Sequence, residues 1–125
     1  MKSRDDVTGI YERHAEICKA LANAKRLHFL HLLRDGERSV TELQEATGLP
    51  QATVSQHLAA LRRVRLVQVR HAGVSAYYAI ADPEIIAACT CIHHVLLRQL
   101  ADEQDLATTL TVGAASSSRR KKGTA

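Results

Sequence analysis

The feature that most constrains the fold is a pause of three residues. Two helix-length stretches, Ser39–Thr47 and Gln51–Val64, are separated only by Gly48-Leu49-Pro50. Ser39 with Glu42 three positions on is a capping box, which opens a helix by satisfying its first free N–H groups. Gly48 closes that helix, because glycine takes the left-handed C-terminal conformation at little cost. Pro50 then suits the entry to the next helix. A short helix and a longer one joined by a tight glycine-containing turn form the outline of a helix-turn-helix, whose second helix reads a DNA groove.

The flanking sequence frames this unit. From Thr8 the chain has helical spacing, with Ile10, His14, Ile17 and Leu21 in one stripe and Tyr11 and Cys18 at its sides. Asn23-Ala24 breaks it. A second helix places Leu27, Leu30 and Leu33 on one face and ends at Asp35-Gly36. After Leu66 the period changes to two: Val67, Val69 and His71 alternate with Gln68 and Arg70, Ala72-Gly73 turns, and Ser75–Ile80 returns. That pattern predicts a β-hairpin, placed as a wing beside the second helix of the pair. Asp82-Pro83 opens a last helix, which the spacing carries to about Gln104. The expected organisation is a flexible N-terminus over 1–7, one DNA-binding and dimerisation domain over 8–106, and a disordered basic tail over 107–125. Ser116-Ser117-Ser118 and Arg119-Arg120-Lys121-Lys122 give that tail its character.

On a wheel at about 100° per residue, Val54, Leu58 and Leu61 take one side of helix 51–64. Ala52, Ser55, Gln56, Ala59 and Arg63 take the other. Thr53 and Ala60 flank that outer face on one edge, Gln51 and Arg62 on the opposite edge. Gln can bond bidentately to an adenine edge, Ser and Thr to bases or phosphates, and a small Ala can meet a thymine methyl. An ordinary solvated helix face is richer in Glu and Lys. His57 falls near the buried edge, where two readings stay open: a packed, hydrogen-bonded ring or a phosphate contact.

The charge distribution agrees. The chain carries a formal +4, and between Glu45 and Asp82 it has no acidic residue, while Arg62, Arg63, Arg65 and Arg70 lie in that stretch. Carboxylates there would repel phosphates, and the arginines would neutralise them. Arg70 or His71 is placed to reach the adjacent minor groove from the wing. Aromatic residues are only 3% of a 125-residue chain that is 46% apolar, so the core is aliphatic and thin, and a second copy would add stability. Three cysteines, Cys18, Cys89 and Cys91, form no disulfide framework. The absence of a signal peptide or a membrane-length apolar run predicts a cytoplasmic protein with no membrane partner. No nucleophile elbow, phosphate loop or paired carboxylates suggest an enzyme.

The runs Leu21-Ala22-Asn23-Ala24-Lys25-Arg26-Leu27, Asp35–Leu43, Thr53-Val54-Ser55-Gln56-His57-Leu58-Ala59-Ala60-Leu61 and Tyr77-Tyr78-Ala79-Ile80 resemble the ArsR/SmtB family of bacterial repressors over about residues 8–101. The resemblance implies a fold that is mainly α with a small β-hairpin wing: a winged helix-turn-helix of four helices, a two-stranded hairpin and a fifth helix. It implies a homodimer through the first and last helices. It also implies release of an imperfect inverted-repeat DNA operator when an effector binds, with Ser55, Gln56 and His57 on the DNA-reading helix. The sequence departs from the family at Arg65, where Gly usually precedes the Leu-Val that enters the wing.

Effector sites of the family map unevenly. Of a zinc site on the last helix, Asp82 fits, but Glu84 stands where His is common, and Val95 and Arg98 occupy the other two positions. No cysteine lies at the start of the reading-helix region, where a metalloid site would be. His31 aligns with the first cysteine of the reactive-sulfur sensors. Cys18, Cys89 and Cys91 remain as candidates for a thiophilic ion such as As(III), Cd(II) or Pb(II), or for a redox or sulfur signal. Cys89, among Ile85, Ile92, Leu96 and Leu100 on the wheel, reads equally as a small core hydrophobe. The function expected from the sequence is a dimeric, sequence-specific repressor responsive to an effector. The alternatives are a winged-helix regulator without metal or thiol sensing and a dimeric protein-interaction module.

Overall fold

The structure, a computed structural model, describes residues 4–115. The elements run α1 (Arg4–Leu21), α2 (Ala24–Leu33), β1 (Arg38–Ser39), α3 (Val40–Thr47), α4 (Gln51–Arg63), β2 (Val67–Ala72), β3 (Ser75–Ile80) and α5 (Glu84–Ala115). The described residues form two units, divided between Ala87 and Ala88. The first holds the helix-turn-helix and the wing. The second is the greater part of α5.

Within the first unit, local chemistry fixes each boundary. Asn23 caps α2, its Oδ1 accepting from the N–H groups of Lys25 (3.0 Å) and Arg26 (3.2 Å). At α3 the capping box is complete: the Glu42 N–H donates to Ser39 Oγ at 3.0 Å, and the Ser39 N–H donates to Glu42 Oε1 at 2.8 Å. Gly48 ends α3 with φ +72, its N–H donating to the Gln44 carbonyl at 2.7 Å. Phe29, Leu30 and Leu33 of α2, Leu43 of α3, and Val54, Leu58 and Leu61 of α4 form the dry centre. Leu66 and Val67 extend it under the wing.

The hairpin pairs from Val67↔Ile80 to Ala72↔Ser75. Gly73 takes φ +61 at the first position of the two-residue turn, as a II′ turn requires, and Val74 stands fully in solvent. A third strand, which the sequence did not suggest, completes the sheet in the order β1-β3-β2, with Arg38↔Tyr78 and Ser39↔Tyr77 in register. Two residues carry too little periodicity to announce a strand. Ser39 therefore ends a strand and caps a helix at once.

Four further expectations change. Helix α1 starts at Arg4, inside the stretch read as a loose terminus. In α2, Phe29 is buried and Leu27 is 44% exposed, so the buried face is turned towards Phe29. Ala60, placed on the rim of the outer face of α4, is buried. Helix α5 continues past Gln104 to Ala115, through part of the segment read as tail. The basic run Arg119–Lys122 lies outside the described residues. No helix among the described residues is long and apolar enough to cross a membrane.

The exit from α4 answers the question raised by Arg65. The Leu66 N–H donates to the Leu61 carbonyl at 3.0 Å, and the Arg65 N–H to the Arg62 carbonyl at 2.9 Å. These are the two bonds of a Schellman motif, and buried Leu61 and Leu66 supply its apolar contact. Arg65 sits at the left-handed position with φ +63, the only non-glycine among the described residues with positive φ. The turn keeps the geometry that glycine normally serves, and an arginine is held in it.

Candidate nucleic-acid interface

Helix α4 presents Gln51, Ala52, Ser55, Gln56, Ala59, Arg62 and Arg63 to solvent, while Val54, Leu58 and Leu61 are buried beneath them. Thr53 is half-buried at the edge. The sequence-based face is therefore reproduced except for Ala60. It holds no carboxylate. Its first turns carry amide, hydroxyl and methyl groups, and its last turn carries two guanidinium groups.

His57 is half-buried on the side towards α2. Its Nδ1 accepts from Arg26 Nε at 3.2 Å, and its ring lies 6.0 Å from that of Phe29, tilted by 46°. Burial holds its pKa below the ordinary histidine value of 6.5, and the charges of Arg26 and then Lys25 add to that. Of the two readings open for His57, a packed and hydrogen-bonded ring is present in the free chain. Arg26 also donates from Nη1 to the Ala20 carbonyl at 3.3 Å, near the end of α1.

Arg70 on β2 makes a two-pronged contact with Glu37, Nε to Oε2 at 3.3 Å and Nη2 to Oε1 at 2.5 Å. Its guanidinium also lies over the Tyr77 ring, 4.7 Å from the centroid. The Arg70 hydrogen bond holds the Glu37 carboxyl below its usual range, and Glu37 in turn raises the Arg70 pKa. Arg70 thus ties the wing to the segment before α3, and a phosphate would have to compete with Glu37 for it. His71 is exposed, opposite Ala76.

Sequence reasoning does not single out Arg26 or Glu37 as site residues. Their partners lie 31 and 33 positions away, and no local pattern announces such pairs.

Cys18 and Cys91 are exposed, and Cys89 is half-buried with its thiol pKa pushed up by burial, which disfavours the thiolate. The described residues contain no group of three His, Cys, Asp or Glu side chains that could hold a metal ion. As(III), Cd(II) and Pb(II) take several soft ligands in one place, and the described residues hold no such group of three.

Comparison with known proteins places this geometry. Residues 23–69 match the family described as bacterial regulatory protein, arsR family. The HTH-type transcriptional regulator Rv0081 of Mycobacterium tuberculosis is 36% identical over 105 residues, covering 83% of this chain and 92% of the relative. The chain belongs to the ArsR family. The crystal structure of Rv0081 superposes with a TM-score of 0.69 at 38% identity, over 75% of this chain and 95% of that one. The solution structure of a fragment of Mb0332 from Mycobacterium bovis, a homodimeric winged helix-turn-helix DNA-binding domain, superposes with a TM-score of 0.72 at 35% identity, over 78% of this chain and 91% of that one. A longer relative, Rv0324 of M. tuberculosis, is 37% identical over 98 residues, which are 78% of this chain and 43% of that protein. The chain is a winged helix-turn-helix, the architecture named for the Mb0332 fragment, and its own three-stranded sheet forms the wing.

Proposed function

We propose that the chain is a sequence-specific DNA-binding transcriptional repressor that acts as a homodimer and releases an imperfect inverted-repeat operator when an effector acts on it. The observation that carries this reading is the exposed, carboxylate-free face of α4. Gln51, Ser55 and Gln56 are its base-reading groups, Ala52 and Ala59 its thymine-methyl contacts, and Thr53, Arg62 and Arg63 its phosphate contacts. Arg70 joins them if phosphate displaces Glu37.

Dimerisation is supported by apolar side chains left in solvent on two helices. Val7, Ile10 and Tyr11 of α1 are exposed, and so are Ile92, Leu96 and Leu100 of α5. A lone chain gains nothing from them, whereas a second copy removes them from water. The effector reading rests on the exposed thiols of Cys18 and Cys91, which suit a redox or sulfur signal better than a metal ion held by one chain.

The test is selection of duplexes from a random DNA pool by the full chain, followed by binding of the selected duplex with and without a persulfide donor or As(III). A palindromic consensus and release that Cys18→Ser or Cys91→Ser abolishes would uphold the reading. Gln56→Ala should relax base preference at one position in each half-site, worth about 1–3 kcal/mol of discrimination. Failure to enrich any sequence would refute it.

A further inference from the structure

His57 stands on the reading helix, yet its defined contact is with α2. A neutral imidazole has one N–H and one lone pair, and what one nitrogen does fixes the other. Here Nδ1 accepts from Arg26 Nε, so the ring proton belongs on Nε2. The opposite tautomer, and the doubly protonated ring, would each set an N–H against the Arg26 N–H. Nε2 has no partner among the described residues. An N–H donor that no protein group accepts is left for water or for an incoming acceptor.

Arg26 is itself well held. Its backbone N–H is capped by Asn23, its Nη1 donates to the Ala20 carbonyl, and its Nε faces His57. It therefore joins the end of α1, the start of α2 and the reading helix through one side chain. The ring also rests against Phe29, which restricts its rotation. The charges that act on the ring are Arg26 and Lys25, both cationic and both from α2. An anion approaching Nε2 would meet a favourable field from both.

We propose that Arg26 is a positioning residue for DNA binding: it locks His57 as a neutral imidazole and leaves the Nε2–H to donate to a backbone phosphate. This rests on the functional reading above. Arg26 need not touch DNA. It acts through His57, and acid that protonates Nδ1 breaks the link.

The test uses the full chain and the duplex it selects from the random pool. Two-bond proton–nitrogen correlation NMR of the free protein reads the tautomer, and fluorescence anisotropy from about pH 5.5 to about pH 8 reads affinity. The expected wild-type ring has Nδ1 unprotonated and Nε2 protonated. Arg26→Met should scramble the tautomer and weaken binding by about tenfold, the size of one lost charge-assisted hydrogen bond. His57→Phe should weaken binding by about as much, the double variant by no more than either single one, and Arg26→Lys should recover most of the affinity. Wild-type affinity should fall on acidification more steeply than that of His57→Phe.

A wild-type ring protonated on Nδ1, an Arg26→Met affinity within about twofold of wild type, or losses that multiply in the double variant would each overturn the proposal. If Arg26→Met does not fold, Arg26→Ala, which also removes the donor, takes its place under the same criteria. If the wild type selects no duplex, the functional reading fails on its own, and with it the proposed contact. The NMR comparison then still tells whether Arg26 sets the His57 tautomer.

Discussion

Replacing Arg65 by glycine should make the protein more stable, although it deletes a side chain and adds no contact. Arg65 is the left-handed residue of the Schellman motif that ends α4, with φ +63. An L-residue in that region carries about 1–2 kcal/mol of steric cost from its Cβ. Glycine relieves this but gives back about 0.4–1 kcal/mol, because the unfolded chain gains freedom. The Arg65 side chain is exposed, so little burial is lost. The balance is a gain of about 0.5–1 kcal/mol, or about 2–5 °C in Tm for a chain of this size. Urea unfolding of wild type, Arg65→Gly and Arg65→Ala at one fixed protein concentration tests it, since dissociation of the proposed dimer would otherwise enter the midpoint. Arg65→Ala removes the guanidinium but keeps the Cβ, so it should not share the gain. If Arg65→Gly is no more stable than Arg65→Ala, the left-handed turn carries no strain and the reasoning fails.

Other perturbations bear on the elements that place α4. Ser39→Ala removes the side-chain half of the α3 capping box and should cost about 1 kcal/mol in urea unfolding. Phe29→Ala empties a fully buried position and should cost about 3–5 kcal/mol, with loss of the ring contact to His57 visible in the histidine NMR signals. Acid should destabilise the fold in two windows. The His57 pKa is lowered on folding, so below about pH 6.5 the unfolded chain takes up the proton first and stability falls as pH drops towards the folded pKa. Glu37 is also lowered, and its contribution is present above its ordinary value of 4.5 and is lost as pH falls below it. Unfolding free energies across a pH series should show the upper window flattened in His57→Phe and the lower one flattened in Glu37→Gln.

What could be read from the sequence was what local chemistry writes into it. Ser39 and Glu42, Gly48, and Asp82 with Pro83 each mark a boundary through hydrogen bonds a few residues long, and the structure places a boundary at each. The outer face of α4 followed from the helical period because Val54, Leu58 and Leu61 all point to one core. Errors arose where tertiary packing decides. Leu27 and Phe29 compete for the inner face of α2, and the larger ring wins. Ala60 is small enough to be covered, which a polarity count does not register. Strand β1 exists only because β3 lies beside it. The Arg26–His57 and Glu37–Arg70 pairs close long loops and carry no local pattern. Arg65 was visible as a departure, but its conformation was not.

The double duty of Ser39 has a mechanical consequence. One residue is the last rung of the sheet and the first anchor of α3, with no slack between them. The wing cannot swing about that point without uncapping the helix, so hairpin and reading unit behave as one solid piece. A solid piece arrives at its target already shaped, and little freedom remains for docking to remove. A change that alters DNA binding therefore has no soft joint to work at Ser39 and acts on the block as a whole.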